Sequence, residues 1–147
     1  MDIEGLLKSL NARSVRYVVI GATAFPVHGY ARATLDVDLF IEATLENAMR
    51  TREALIAFGY DMSDVTVDEL LSKKILIRQY ALETDVHPFV KGATFAEVWA
   101  RRVEDRIGET PTAFAGLDDL IRMKQAAGRP KDLEDLRVLC KLRDERR

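Results

Sequence analysis

The chain has one cysteine, two histidines and one tryptophan among its 147 residues. A lone Cys140 excludes an internal disulfide and a cysteine-built zinc site, and it suits a reducing interior. Its expected role is packing in the last helix. With only His28 as a companion for His87, no zinc site is expected, and His87 reads as a strand-end residue. No apolar run approaches membrane-spanning length, and Met1-Asp-Ile-Glu lacks the basic start and apolar middle of a signal peptide. A cytoplasmic protein with no membrane partner is expected. Repeats, low-complexity tracts and linker-like stretches are also missing from the sequence.

What is present is a hydrophobic fraction of 48%, enough for one domain over residues 1–147 with a proper core. The net charge of -2 argues against a general polyanion binder. The C-terminal segment is nonetheless locally basic, with Arg122, Lys124, Arg129, Lys131, Arg137, Lys141, Arg143, Arg146 and Arg147 among fewer acids. A local patch of that kind can hold phosphates.

Apolar positions Ile3, Leu6, Leu7 and Leu10 form a helical stripe, and Arg16 to Ile20 is a short β-branched run ended by Gly21. Ala22 to Gly29 reads as a helix interrupted near Pro26, and Val37 to Ile41 as a second strand. Thr44 caps a helix that stops at Phe58-Gly59-Tyr60, and Thr66 caps a shorter one. Ile75 to Leu82 alternates like a strand, which Thr84-Asp85-Val86-His87-Pro88 continues or follows. Phe95 to Arg102 reads as a helix, followed by a basic-acidic segment leading to Thr110-Pro-Thr. Helices from Gly116 to Ala127 and from Lys131 to Arg143 meet at Gly128-Arg-Pro. A mixed α+β fold is expected: a small mixed sheet flanked by helices, with a C-terminal helical hairpin.

The chemistry concentrates around Asp36-Val-Asp38. Side chains alternate along a strand, so both carboxylates project to one side. Neighbouring carboxylates repel unless a cation or proton sits between them. Val37, Leu39, Phe40 and Ile41 mark a buried strand, where unpaired carboxylates are costly. A divalent metal completed by phosphate oxygens answers that cost, with Asp85 as the third oxygen ligand from a neighbouring strand. Gly21, between a buried strand and a helix, lets the backbone approach a phosphate, and the Thr23 hydroxyl adds a hydrogen bond. Arg32 suits bidentate phosphate contact, whereas Thr34 and His28 read equally well as structural hydrogen-bonders. Lys124, Arg129 and Lys131 cluster at the hairpin junction. They read either as phosphate or base contacts or as a solvated hairpin in which Asp132 caps the last helix and pairs with a lysine.

Val18-Val-Ile-Gly21-Ala-Thr-Ala24, His28-Gly29, Arg32-Ala-Thr34 and Asp36-Val-Asp38-Leu39 together resemble the N-terminal motif of small prokaryotic nucleotidyltransferase-fold proteins. These belong to the DNA polymerase beta-like superfamily and include the AbiEii-type toxins of toxin–antitoxin systems. The string from Leu120 to Leu136 is similar to that group's second signature. The resemblance implies a nucleotidyltransferase-like fold and transfer of a nucleoside monophosphate from an NTP to an acceptor, with release of pyrophosphate. It also implies that Asp36, Asp38 and Asp85 are catalytic and hold Mg²⁺ (or Mn²⁺), with Asp85 helping to deprotonate the acceptor hydroxyl. Gly21 and Thr23 would hold the β- and γ-phosphates, and Lys124 a phosphate or the acceptor. RNA or tRNA, a protein and a small-molecule alcohol are the acceptors it leaves open, with a cognate toxin–antitoxin partner. The group's usual Gly-Ser or Gly-Gly is Gly21-Ala22 here. That departure keeps a second reading open, a fold-retaining binding partner or antitoxin-like subunit without turnover. A non-catalytic nucleotide sensor is a third.

Overall fold

A computed structural model describes residues 2–34 and 36–147. Met1, the first residue of the start read as leaderless, lies outside the described residues, as does Leu35. Six strands form one mixed sheet: β1 (Tyr17–Ile20), β2 (Asp36–Ile41), β3 (Ile75–Ile77), β4 (Glu83–His87), β5 (Val103–Ile107) and β6 (Thr110–Phe114). Their spatial order is β3-β4-β2-β1-β6-β5. The central pair β1 and β2 is antiparallel, β2 runs parallel to β4, and β1 runs parallel to β6. This is the α+β architecture expected from the sequence, and it is consistent with a nucleotidyltransferase-like fold.

The helices are set by local chemistry. Asp2 caps α1 (Ile3–Ala12) through the Gly5 N–H, and Thr44 caps α2 (Leu45–Phe58) through Asn47. Reciprocal capping boxes start α3 (Val67–Ser72) at Thr66 and Glu69, and α4 (Phe95–Ala100) at Thr94 and Glu97. The chain closes with α5 (Leu117–Ala127) and α6 (Leu133–Glu145), which pack as a hairpin. On β2 the alternation is plain. Val37, Leu39 and Ile41 are fully buried on one face, while Asp36 and Asp38 stand half-buried on the other. Phe40 closes that second face, packed edge-on against Phe95 of α4 at 5.3 Å between centroids.

Four local expectations change. Ala22 to Gly29 is two 3-10 turns, Gly21–Ala24 and Pro26–His28, because Pro26 has no N–H to continue a helix. The alternating run from Ile75 is a strand only to Ile77; the chain then turns and β4 returns antiparallel, with Ile77 opposite Thr84. Residues 103–114, read as a connecting segment, form the β5–β6 hairpin. Its edge strand carries exposed Glu104, Asp105 and Arg106, so no apolar alternation betrays it. The last helix begins at Leu133 after a 3-10 turn over Pro130–Asp132.

His28 illustrates how the turn is locked. Its buried ring places Nε2 2.8 Å from the Ala115 carbonyl, and Arg146 donates to the His28 carbonyl. Burial pulls its pKa below the ordinary 6.5; the Ala115 hydrogen bond opposes this and the Arg146 charge adds to it. The folded chain therefore takes up this proton at lower pH than the unfolded chain. Its contribution is intact above the unfolded value and is lost as pH falls below it. The thermal midpoint should drop between about pH 7 and about pH 5, and His28→Gln should flatten that slope relative to wild type. An unchanged slope in the variant would remove His28 as its source.

Candidate active site

The site is built by register. In the parallel β2–β4 pair Asp38 lies directly opposite Asp85, Asp36 opposite Glu83, and Phe40 opposite His87. Residues opposite one another share a face, so Asp36, Asp38, Asp85 and His87 project to the same side of the sheet. Asp85 is buried and Asp38 half-buried. His87 Nε2 stands 2.8 Å from Asp38 Oδ1. Asp38, Asp85 and His87 each offer one ligand atom, all within 4.8 Å of one another. Two carboxylates and an imidazole form a donor set that fits a divalent cation.

Gly21 seals the other side. It follows β1 with φ +69°, and an added Cβ would lie 2.6 Å from Asp38 Oδ2. Only glycine lets the backbone come that close to the carboxylate. The Thr23 hydroxyl donates to the Asp36 carbonyl at 3.0 Å, so here it braces the turn against β2. Thr34 donates to the Asp36 carboxylate, which is not one of the three converging groups. A depression of about 370 Å³ opens beside these residues, with Ala22, Thr23, Arg32, Thr34 and Asp36 in its lining.

Two cations face Asp85. Arg78 Nη1 is 2.6 Å from Oδ1, and Lys74 Nζ is 3.9 Å from Oδ2. The hydrogen bond to Asp85 is the main cause that raises the Arg78 pKa.

The other residues singled out in the sequence gather elsewhere. Lys124 Nζ lies 2.9 Å from Asp132 and 3.4 Å from Asp135, with the Phe25 ring beneath it at 5.6 Å. Arg129 pairs with Asp132 at 2.7 Å, Arg32 with Asp135 at 3.1 Å, and Tyr30 donates to Asp135 at 2.9 Å. Burial pushes the Asp132 carboxyl up, but Arg129 and Lys124 outweigh it and hold the group below its ordinary value. Lys131 is exposed. Lys124, Arg129 and Arg32 are thus engaged by the protein's own carboxylates, and Arg32 alone of them reaches the depression beside Asp36.

Residues 1–139 match a family described as "Nucleotidyltransferase of unknown function (DUF6036)". The chain belongs to this family. A comparison with curated proteins finds no match. Beside the Asp38–Asp85 pair stand His87, Arg78 and Lys74; the sequence set His87 aside as a strand-end residue and singled out neither Arg78 nor Lys74. His87 had a usable signal: it follows Asp85 by two on one strand, hence on the same face. Arg78 had none, because only the turn after Ile77 brings it round to Asp85. Among the described residues no helix is long and apolar enough to cross a membrane.

Proposed function

We propose that the protein is a metal-dependent nucleotidyltransferase that moves a nucleoside monophosphate from an NTP to a hydroxyl acceptor. The observation that carries this reading is the Asp38–Asp85 register across two parallel strands, with Gly21 packed against Asp38. Asp38 and Asp85 would hold a divalent cation, Mg²⁺ or Mn²⁺, with Asp36 beside them on the same face. A bound cation supplies charge neutralisation for the triphosphate and for the leaving pyrophosphate. The acceptor oxygen forms a bond to the α-phosphorus as the bond to the bridging α–β oxygen breaks, and pyrophosphate departs with its electrons. The acceptor's proton passes to the Asp85 carboxylate. Arg78 and Lys74 hold that carboxylate in position. The Gly21-Ala22-Thr23 turn offers backbone N–H groups to the phosphates, and Arg32 meets the nucleotide at the edge of the depression. Lys131 would extend the basic side of that path, while Lys124 and Arg129 anchor the hairpin through Asp132 and Asp135 and would reach phosphate or acceptor only by releasing those carboxylates.

The test is incubation with each labelled NTP, Mg²⁺ or Mn²⁺, total tRNA and cell lysate. Label is expected on an RNA, a protein or a small alcohol. Label on none of them, together with absence of metal–NTP binding, would sink the enzyme reading. Two observations favour a second reading, a fold-retaining binding partner or antitoxin-like subunit. The Arg78 guanidinium already neutralises Asp85, and Ala22 stands where the resembling group carries glycine or serine. On that reading a cognate toxin–antitoxin protein co-purifies with the chain, and replacing the carboxylates leaves the complex intact.

A further inference from the structure

We infer that His87 is a direct ligand of the divalent cation at Asp38 and Asp85, which tunes this site to Mn²⁺, or a similarly nitrogen-tolerant ion, over Mg²⁺. The inference rests on the proposed cation site and assigns it a third donor. His87 ends β4 two residues after Asp85, on the same face, and its largely buried ring reaches across to β2. Its Nε2 and one oxygen each from Asp38 and Asp85 converge within 4.8 Å of one another. Donors bound at roughly 2.1 Å to one ion stand no more than about 4.2 Å apart. Small side-chain rotations therefore bring the three onto one centre. Asp36, the other carboxylate of the strand, is outside this group and accepts from Thr34.

The donor chemistry then decides the ion. Mg²⁺ requires oxygen ligands, sheds water reluctantly and gains little from an imidazole. First-row transition ions accept imidazole readily. The local charge points the same way. Arg78 offsets the Asp85 carboxylate, so a hard ion finds less negative charge here than at three free carboxylates. A neutral nitrogen donor matters more under those conditions. The alternative role for the ring is to keep its hydrogen bond on Asp38 Oδ1 and only orient that carboxylate.

Pulsed electron paramagnetic resonance on untagged protein loaded with Mn²⁺ separates the two. Direct ligation should give nitrogen modulation from one imidazole, which changes to the ¹⁵N pattern when histidine is ¹⁵N-labelled. The signal should vanish in His87→Gln and persist in His28→Gln, the two histidines being the only ones in the chain. Mn²⁺ affinity by titration should fall about tenfold or more in His87→Gln, with Mg²⁺ affinity changed by less than about twofold. Bound Mn²⁺ without nitrogen coupling in the wild type would overturn the assignment, as would coupling retained in His87→Gln. Failure of Mn²⁺ to bind at all would overturn it too. Nitrogen coupling without label transfer to any acceptor would strike only the nucleotidyltransferase reading. Label transfer without nitrogen coupling would strike only the His87 assignment. The labelled wild-type experiment needs no variant to fold.

Discussion

Asp38→Asn is expected to lower label transfer from NTP by about a thousandfold or more, equivalent to about 4 kcal/mol of lost transition-state stabilisation, with no loss of fold. Asp38 is where the whole arrangement converges. It faces Asp85 across the strands, receives the His87 ring, and meets the Gly21 backbone. Asparagine keeps its size and still accepts from His87, but it removes the charge that would hold a cation. The same change relieves repulsion among Asp36, Asp38 and Asp85 on one face. The thermal midpoint should therefore hold or rise, the usual sign of a site that trades stability for chemistry. A variant that turns over at the wild-type rate would make the carboxylate structural. A variant that has lost nothing measurable because the wild type has no turnover, yet keeps a partner complex, would favour the binding-partner reading.

The sequence made the carboxylate pair legible because period-two alternation is strong on β2. Val37, Leu39 and Ile41 are buried, so Asp36 and Asp38 had to share the opposite face. Two helices were legible through their caps at Thr44 and Thr66, whereas the Thr94–Glu97 box that starts α4 was not singled out. Three other things were not legible. The β5–β6 hairpin hides because its exposed edge is charged and Pro111 sits in β6. The division between Asp36 and Asp38 depends on Thr34, whose hydroxyl engages one carboxylate and leaves the other to Asp85 and His87. The engagement of Asp135 by Arg32 and Tyr30 requires the helical hairpin to dock near residues 30–32. Spacing along the chain suggested the basic cluster and a pair between Asp132 and a lysine, which Lys124 makes at 2.9 Å, but not the long reach of Arg32 to Asp135.

Gly21→Ala should produce the second large effect, and its cause can be separated from simple destabilisation. Holding a non-glycine residue at φ +69° costs about 1–3 kcal/mol, and the new methyl would lie 2.6 Å from Asp38 Oδ2. Either the 21–24 turn lifts away or Asp38 rotates out of line with Asp85. A displacement of about 1 Å at a reacting centre is enough to cost about a hundredfold in turnover, so activity per folded molecule should fall at least that far. Mn²⁺ affinity should fall with it. Gly92→Ala is the matched control. Its φ is +90°, and a Cβ there would stand 2.8 Å from the Arg122 carbonyl, a backbone atom that cannot swing aside. That variant should lose comparable stability by thermal melting, while its folded fraction keeps wild-type turnover and metal affinity. Equal losses of turnover in the two variants would mean that the close approach of Gly21 to Asp38 has no special part in the site. A selective loss in Gly21→Ala would make the tight turn, with Ala22 where glycine or serine was expected, a working part of the site.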